Sequence, residues 1–141
     1  MKETDLAYFA GIFDGEGTVT LAKTQISSPK QRLTYQVRVQ VVSTDEWLCQ
    51  SLRFSFGGTV ISHRVTEGNH KPAWRWLGTR LVAKKFMLAI LPYSKLKRQR
   101  MDLALKFLSH KTAGGYKTQE YIDIEQDFKT LMLTMNKRGK V

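Results

Sequence analysis

The clearest pattern in the chain is an alternation of apolar and polar residues from Leu33 to Val41. A period of two residues is typical of a β-strand with one buried face. A shorter alternation from Thr18 to Thr24, with Val19 and Leu21 as its apolar members, predicts a neighbouring strand. The Ser-Ser-Pro-Lys stretch between the two strands predicts a hairpin loop over residues 26–32.

Two shorter segments, Thr59 to Arg64 and Ala73 to Leu77, predict a second hairpin. Because side chains alternate along a strand, Trp74 and Trp76 share one face, which we expect to lie in the core. Arg75 then lies on the opposite face.

Apolar residues at helical spacing predict four helices, over about residues 44–54 or 56, 79–91, 101–109 and 119–135. The first is expected to begin at the capping sequence Ser43-Thr-Asp and to end at Gly57-Gly58, and Pro92 should stop the second. We expect the first helix to turn four large side chains inward: Trp47, Leu48, Leu52 and Phe54. A glycine-rich loop over residues 111–118 and a basic tail over residues 136–140 complete the pattern.

The N-terminal segment from Leu6 to Gly17 predicts a short apolar helix, whose start Thr4 or Asp5 is expected to cap. The large side chains expected to enter the core are Leu6, Phe9, Ile12 and Phe13. Small residues recur four apart, at Ala7, Gly11 and Gly15. Residues at this spacing share one helix face, on which a second helix could approach with its backbone close.

Asp14 and Glu16 stand between glycines where this helix ends. Gly15 and Gly17 are expected to adopt backbone angles that other residues resist, so that the helix stops and both acids point outward. A carboxylate at a helix C-terminus is unfavourable by about 0.3–1 kcal/mol. The two acids therefore need an explanation other than helix stability. The plain alternative is a buried helix followed by an Asp-Gly turn.

Composition favours a polyanionic partner. The 141 residues suffice for one domain with a core but not for two, and 23 Lys and Arg against 12 Asp and Glu give a net charge of +11. Such an excess is expected for a nucleic-acid-binding protein, although a merely soluble basic protein could carry it too. On the strand over residues 33–41, Gln36, Arg38 and Gln40 are of the types that read base edges in a major groove. An ordinary solvated sheet face is the alternative.

The single cysteine, Cys49, lies among apolar residues, so we expect a buried thiol in a reducing, intracellular compartment and no secretion. The N-terminus does not have the pattern of a signal peptide, and no apolar run is long enough to span a bilayer. His63 and His70 have no partners at metal-ligand spacing, so neither is expected to bind metal.

The ten residues from Tyr8 to Gly17, Tyr-Phe-Ala-Gly-Ile-Phe-Asp-Gly-Glu-Gly, resemble the signature of LAGLIDADG homing endonucleases. The resemblance implies an α+β fold of order αββαββα, with a saddle-shaped antiparallel sheet and additional C-terminal helices. It implies one domain over residues 1–141, with its core over about 4–109 and the extra helices over about 110–136. Because the motif occurs once, it also implies a homodimer whose motif helices form the interface, reading a palindromic or nearly palindromic site.

The resemblance further implies an active site. Glu16, with the carbonyl of Gly15, is expected to bind Mg²⁺, although the family more often has Asp at the position of Glu16. Lys97 ends a segment similar to the family's Pro-aromatic-x-Lys-x-Lys element and is expected beside the scissile phosphate. Asp14 is expected to cap the helix end and support the turn rather than to bind metal. Ser43 stands where related enzymes often carry a Gln or Asn that orients water.

The residue patterns and the resemblance together predict two sets of contact residues. The side chains expected to contact DNA are Thr18, Thr20, Thr24, Thr34, Gln36, Arg38, Gln40, His63 and Arg75, with Thr59 and Ile61 on the same side of the sheet. The residues expected in the dimer interface are Ala7, Ala10, Gly11 and Gly15.

These features predict a metal-dependent endonuclease that hydrolyses one phosphodiester in each strand of a duplex. One alternative is a descendant that binds nucleic acid without cleaving it, such as an intron maturase or a regulator. A glycosidase using Asp14 and Glu16 is disfavoured, because residues two apart at a helix end rarely face each other across a substrate. A basic RNA-binding domain is disfavoured because the sequence has no aromatic-rich strand on which bases would stack.

Overall fold

The computed structural model describes residues 1–23, 35–63, 72–110 and 118–137. Its elements, in chain order, are α1 (Glu3–Glu16), β1 (Gly17–Lys23), β2 (Tyr35–Ser43), α2 (Glu46–Phe56), β3 (Thr59–His63), β4 (Ala73–Thr79), α3 (Arg80–Ile90), a 3₁₀ turn (Leu91–Tyr93), α4 (Arg98–His110) and α5 (Gln119–Lys137). The hairpin loop, the glycine-rich loop and most of the basic tail predicted from the sequence lie outside the described residues.

The four strands form one antiparallel sheet in the order β1-β2-β4-β3. Val19 and Leu21 of β1 pair with Val39 and Val37 of β2, and all four side chains are buried. The residues between them point to the opposite face and stay partly exposed. The alternation read from the sequence therefore separates a face covered by helices from a polar face.

Phe86 of α3 lies at the centre of an aromatic cluster that holds the helices on the sheet. Its ring centroid lies 5.1 Å from that of Phe13 in α1, 4.9 Å from Phe56 in α2 and 4.9 Å from Trp76 in β4. Such pairs contribute about 0.5–1.5 kcal/mol each beyond the area they bury. This cluster fixes the position of α1, and hence of the acids at its end, relative to the sheet.

Helix α2 corrects two of the predicted inward residues. Trp47 is 65% exposed and Phe54 is 93% exposed, whereas Leu48 and Leu52 are buried as predicted. The buried positions of the helix are Leu48, Cys49, Leu52 and Phe56. Because these recur every three or four residues, they define one inward stripe, and the two misassigned aromatic residues lie off it. Cys49 is fully buried, as expected, and burial raises the pKa of its thiol.

Helix α1 begins earlier than predicted, at Glu3. Thr4 and Asp5 therefore lie inside its first turn and do not precede it. Asp5 nevertheless caps that turn, because its carboxylate accepts a hydrogen bond from the main-chain N–H of Lys2 at 3.3 Å. Asp5 thus caps the start of the helix, as predicted, but it does so from within the first turn.

The expectation that Gly15 and Gly17 adopt unusual backbone angles is wrong. Gly15 continues the helix, and Gly17 is extended with φ −89° and ψ 161°. Positive φ values among the described glycines occur at Gly57 and Gly58. Gly17 is instead required by packing, because a Cβ there would overlap the ring of Phe13.

Helix α5 covers the edge of the sheet at β1. An edge strand leaves main-chain carbonyls unpaired, and here two side chains of α5 donate to them. Lys129 Nζ lies 2.6 Å from the Leu21 carbonyl oxygen, and Asn136 Nδ2 lies 3.0 Å from that of Val19. Met132 of the same helix is buried in the common core. Among the described helices, none is long and apolar enough to cross a membrane.

Candidate active site and nucleic-acid interface

The acidic end of α1 lies against the chain segment over residues 94–97. The Asp14 carboxylate accepts hydrogen bonds from the Ser94 hydroxyl, from the main-chain N–H of Lys95 at 2.8 Å and from that of Lys97 at 3.1 Å. The sequence predicted that Asp14 points outward and caps its own helix end. The structure shows neither, because the Asp14 carboxylate binds this other segment. Asp14 organises a segment some 80 residues further along the chain.

The electrostatics of Asp14 follow from these contacts. Partial burial alone would raise the pKa of the carboxyl group. The hydrogen bonds from Ser94 and from the main chain of Lys95, Leu96 and Lys97 outweigh burial and lower the pKa below its ordinary value. Asp14 is thus held as a carboxylate, and its interactions offset the unfavourable position of an acid at a helix C-terminus.

Lys97 lies directly at the same helix end. Its Nζ donates a hydrogen bond to the main-chain oxygen of Asp14 at 2.9 Å. A cation at this position interacts favourably with the negative end of the helix dipole. Burial and the nearby charge of Arg100 lower the pKa of Lys97, while Asp14 and Glu16 act in the opposite direction. The structure therefore brings Lys97 and the two acids together, although they are more than 80 residues apart in sequence.

Glu16 and Gly15 remain exposed at the end of α1. A carboxylate and a main-chain carbonyl are hard oxygen donors of the kind that Mg²⁺ and Ca²⁺ prefer, so their chemistry fits a divalent cation. The described residues contain no group of three or more His, Cys, Asp or Glu side chains that could hold a metal ion on its own.

Ser43 lies at the end of β2. In the register of the sheet, Gly17, the residue after Glu16, pairs with Val41. Ser43 lies two residues after Val41. Its hydroxyl accepts a hydrogen bond from the main-chain N–H of Asp45 at 3.0 Å, in the turn that leads into α2. Asp45 in turn caps that helix. The structure assigns Ser43 a structural contact at the position where the resemblance implied a water-orienting residue.

The polar face of the sheet collects most of the residues predicted to contact DNA. The register places Thr20 opposite Arg38, and Arg38 opposite Thr79, across the three strands β1, β2 and β4. The predicted residues that share this face and remain partly exposed are Thr18, Thr20, Gln36, Arg38, Gln40 and Arg75. Arg38 Nε makes no hydrogen bond within the described part of the chain, although it is shielded from solvent. Leu77 and Thr79 extend this face and had not been singled out.

The three other residues predicted to contact DNA are not part of this set. Thr24 and Thr34 lie outside the described residues. The main chain of His63 pairs with Ala73 at the end of β3, on the outer strand of the sheet. Thr59 and Ile61 of the same strand pair with Leu77 and Arg75, so they share the polar face, as the resemblance implied.

The small face of α1 is open. Ala7, Gly11 and Gly15 are exposed, and a Cβ added at Gly11 or Gly15 would meet no atom within 4 Å in the part of the chain that the structure describes. Ala10 was predicted in the same interface, but it is completely buried, so that assignment is wrong. It is one residue before Gly11, which corresponds to a rotation of about 100° around the helix axis, away from the open face.

Three residues of this region were missed from the sequence. Ser94 is buried beneath Asp14, and its hydroxyl is a polar group that burial obliges to find a partner. Arg100 and Asn136 hydrogen-bond to each other at 3.1 Å, between α4 and the end of α5. A serine two residues after Pro92 could have been suspected of contacting an acid. No local pattern links Arg100 to Asn136.

No protein-family model matches the chain, and no curated protein matches it. Its structure is similar to several solved ones. The homing endonuclease I-CvuI in complex with its target superposes with a TM-score of 0.76 at 17% identity, covering 94% of this chain and 82% of that one. The archaeal intron-encoded homing endonuclease I-Vdi141I complexed with DNA gives 0.77 at 7% identity, covering 96% and 86%. The I-LtrWI LAGLIDADG homing endonuclease bound to target DNA gives 0.71 at 13% identity, covering 92% of this chain and 44% of that one.

At such low identities the similarity concerns the fold. The chain has the fold of the LAGLIDADG homing endonucleases, and the α+β architecture implied by the motif is confirmed.

Proposed function

We propose that this protein is a site-specific endonuclease that cleaves both strands of duplex DNA. The observation that carries the proposal is the assembly of Glu16, Asp14 and Lys97 at the end of α1. Glu16 is followed directly by β1, whose outward residues begin the polar face of the sheet. One structural unit thus joins an exposed carboxylate, a cation and a surface of hydrogen-bonding side chains in a chain of net charge +11.

We infer that the active form is a homodimer joined through the open face of α1. Glycine costs about 1 kcal/mol relative to alanine in a helix interior, and no atom of the described residues lies close enough to require glycine at Gly11 or Gly15. A partner backbone at close approach supplies the reason. Tyr8 lies on the same helix face and, with Trp47, lines a shallow exposed cleft beside it. Exposed apolar clusters of this kind are typical of interaction surfaces.

The coverage of the neighbours agrees with this assembly. The chain corresponds to 82% and 86% of I-CvuI and I-Vdi141I, but to 46% and 44% of I-SmaMI and I-LtrWI. The fold of this chain therefore makes up most of the first two proteins and less than half of the other two. Such coverage fits an active assembly that contains the fold twice. A two-fold symmetric dimer would read a palindromic or nearly palindromic site.

The metal in this proposal is a divalent cation, specifically Mg²⁺, held by Glu16 and the carbonyl of Gly15 together with ligands from the second chain and the DNA. When bound, such a cation lowers the pKa of a water molecule and stabilises charge on phosphate oxygens.

Lys97 supplies a positive charge beside the phosphate under attack, where negative charge increases in the transition state. Its hydrogen bond to the Asp14 carbonyl keeps the ammonium group close to Glu16. Asp14 contributes by binding the main chain of the Lys97 segment, which leaves Glu16 as the exposed acid. Ser43, engaged with Asp45, is at most a minor contributor to orienting water.

The polar face of the sheet lies in the major groove in this proposal. Thr18, Thr20, Gln36, Arg38, Gln40 and Arg75 present hydroxyl, amide and guanidinium groups, which match base-edge donors and acceptors. Arg38 is the strongest candidate for a bidentate contact to guanine, because it lies on a central strand and its side chain is partly exposed on the polar face. A reducing, intracellular compartment fits the buried free thiol of Cys49.

The experiment that tests this function is selection of cleaved duplexes from a randomised DNA library, with Mg²⁺ and with EDTA. A two-fold symmetric site cut in both strands only with Mg²⁺ is the expected result. Tight binding of one duplex without cleavage under either condition would instead indicate a nucleic-acid-binding descendant. Binding of RNA in preference to every duplex would reject the DNA-cleaving function.

A further inference from the structure

We propose that Arg100, together with Asn136, is a positioning residue for Lys97, and that α5 thereby controls the cleavage step. The inference rests on the function proposed above. The described hydrogen bonds of these two residues link α4 and α5 to the lysine segment and to the main chain of β1.

The guanidinium group of Arg100 joins the lysine segment to α5. Its Nη1 donates to the carbonyl oxygen of Leu96, the residue before Lys97, at 3.2 Å. Its Nη2 donates to the Met135 carbonyl at 2.8 Å, and its Nε donates to Asn136 Oδ1 at 3.1 Å. One side chain therefore bonds to both partners, and the planar geometry of arginine fixes their relative positions.

Asn136 links this arrangement back to the acidic motif. Its Nδ2 donates to the Val19 carbonyl at 3.0 Å, two residues after Gly17 on the edge strand β1. These contacts form a closed ring. From the end of α1 the chain continues into β1, which accepts a hydrogen bond from Asn136, and Asn136 bonds to Arg100. Arg100 binds the Leu96 carbonyl, and the segment that contains Lys97 returns to α1 by binding Asp14.

These contacts can determine the position of Lys97 because residues 94–97 are not part of a regular helix or strand. Asp14 binds this segment through its main-chain N–H groups, and Arg100 binds it through a main-chain carbonyl. Loss of the Arg100 contact would allow the segment, and with it Lys97, to shift. A displacement of about 1 Å at a catalytic group is enough to reduce rate by about 100-fold.

Charge alone would not explain Arg100. Its guanidinium group is of the same sign as the Lys97 ammonium, and the two repel. The hydrogen bonds of Arg100 are therefore the contacts through which it can hold Lys97 in place.

The test uses Arg100→Gln and Asn136→Ala in the full-length chain. Arg98→Gln is the matched control, because it removes the same charge from an exposed residue two positions earlier. We expect a loss of about 10- to 100-fold in the single-turnover cleavage rate at saturating enzyme. The dissociation constant measured in EDTA should change little. Arg98→Gln should leave the rate within about twofold of the wild type.

A double-mutant cycle with Lys97→Ala separates positioning from general stability. If Arg100 acts through Lys97, Arg100→Gln should have almost no effect on the rate once Lys97 is alanine. An equal loss in both backgrounds would overturn the proposal, because a merely structural role would act independently of the lysine.

A second readout does not require cleavage. The amide N–H groups of Lys95 and Lys97 donate to Asp14, so their hydrogen exchange reports on the segment directly. Arg100→Gln should accelerate exchange at these two amides by about fivefold or more, with helices α2 and α3 unchanged. Unchanged exchange would overturn the positioning role. If the wild type cleaves no duplex, the proposed function fails while this measurement still decides whether Arg100 holds the segment.

Discussion

The two sides of helix α1 differ in what they contact. On one side, Phe13 packs against Phe86 and over Gly17, and Asp14 binds the 94–97 segment. By contrast, Gly11, Gly15 and Glu16 of the same helix are exposed, and a Cβ added at either glycine would meet no atom of the described residues within 4 Å. The enclosed side is accounted for by folding of the single chain. The exposed residues of α1 are those for which we propose contacts with a partner helix, a cation and DNA.

The sheet repeats this difference. Its helix-covered face is made of aliphatic residues such as Val39, whereas the neighbouring Arg38 points to the opposite, partly exposed face. Substitutions on the enclosed surfaces should therefore change stability, and substitutions on the open surfaces should change assembly, cleavage or specificity.

The largest effect is expected on the open side, for Glu16→Gln. Loss of the carboxylate should reduce cleavage by about 10³-fold or more, because the cation would lose its charged ligand. DNA binding in EDTA and the thermal unfolding temperature should be unchanged, since Glu16 is exposed. Glu3→Gln, at the other end of the same helix, is the control. A parallel loss of binding in Glu16→Gln would contradict the metal role.

Lys97→Ala should come next, with a loss of about 10²–10³-fold in single-turnover rate. The reason is removal of a cation that lies 2.9 Å from the Asp14 carbonyl and close to Glu16. Affinity for the uncut duplex should hardly change. Lys95→Ala is the control, because Lys95 contacts Asp14 through its main chain, which the substitution keeps. Equal rates for the two variants would remove Lys97 from the active site.

The glycines of α1 allow a direct comparison of the two sides. Gly17→Ala should destabilise the folded chain by about 1–3 kcal/mol, because its Cβ overlaps the Phe13 ring. Gly11→Leu should leave the stability of the monomer unchanged or raise it by up to about 1 kcal/mol, while dimer dissociation increases. Chemical denaturation and sedimentation equilibrium measure the two effects. A Gly11→Leu protein that still dimerises like the wild type would exclude this face as the interface.

Arg38→Ala should alter specificity by about 1–3 kcal/mol at particular base pairs, with little change in unfolding. Val39→Ala, on the enclosed face of the same strand, should show the reverse: a lower melting temperature and an unaltered cleavage profile. Profiling both variants on a library of single-base substitutions checks the comparison. Identical profiles for Arg38→Ala and wild type would withdraw Arg38 from base reading.

The smallest effect concerns the pH dependence of stability at Asp14. Its pKa is lowered in the folded chain, so its stabilising contribution is fully present above the unfolded-state pKa. That contribution is lost as the pH falls through the lower folded-state pKa. Asp14→Asn should therefore flatten the acid limb of the stability curve, measured by urea unfolding between pH 5 and about pH 2. An unchanged acid limb would show that Asp14 is not the group responsible.

Much of the fold could be read from local pattern. The alternation in β1 and β2 predicted which residues are buried, because a strand has a period of two whatever packs against it. The burial of Trp76 and the end of α3 before Pro92 follow from equally local rules. Trp47 and Phe54 were assigned wrongly because hydrophobicity was taken as burial, although large apolar residues also occur at exposed positions.

Only part of the candidate site could be predicted from local sequence patterns. The acids, the small helix face and the Lys97 segment were evident as motifs along the chain. That Ser94 and the main chain of residues 95–97 bind Asp14, leaving Glu16 exposed, was not evident, because each is some 80 residues from the acid. The exclusion of Ala10 from the open face also required the structure, since a one-residue difference rotates a side chain to another side of the helix.

The sequence by itself determined the elements and the sign of the charge, because these depend on composition and local periodicity, and the resemblance of its motifs implied the chemical groups of the proposed site. The tertiary structure alone decided which carboxylate binds the chain and which stays exposed. It also decided that Arg100 and Asn136 connect the last helix to Lys97. The physical reason is that hydrogen bonds between distant segments depend on where packing places the backbone, and such placement has no local signature.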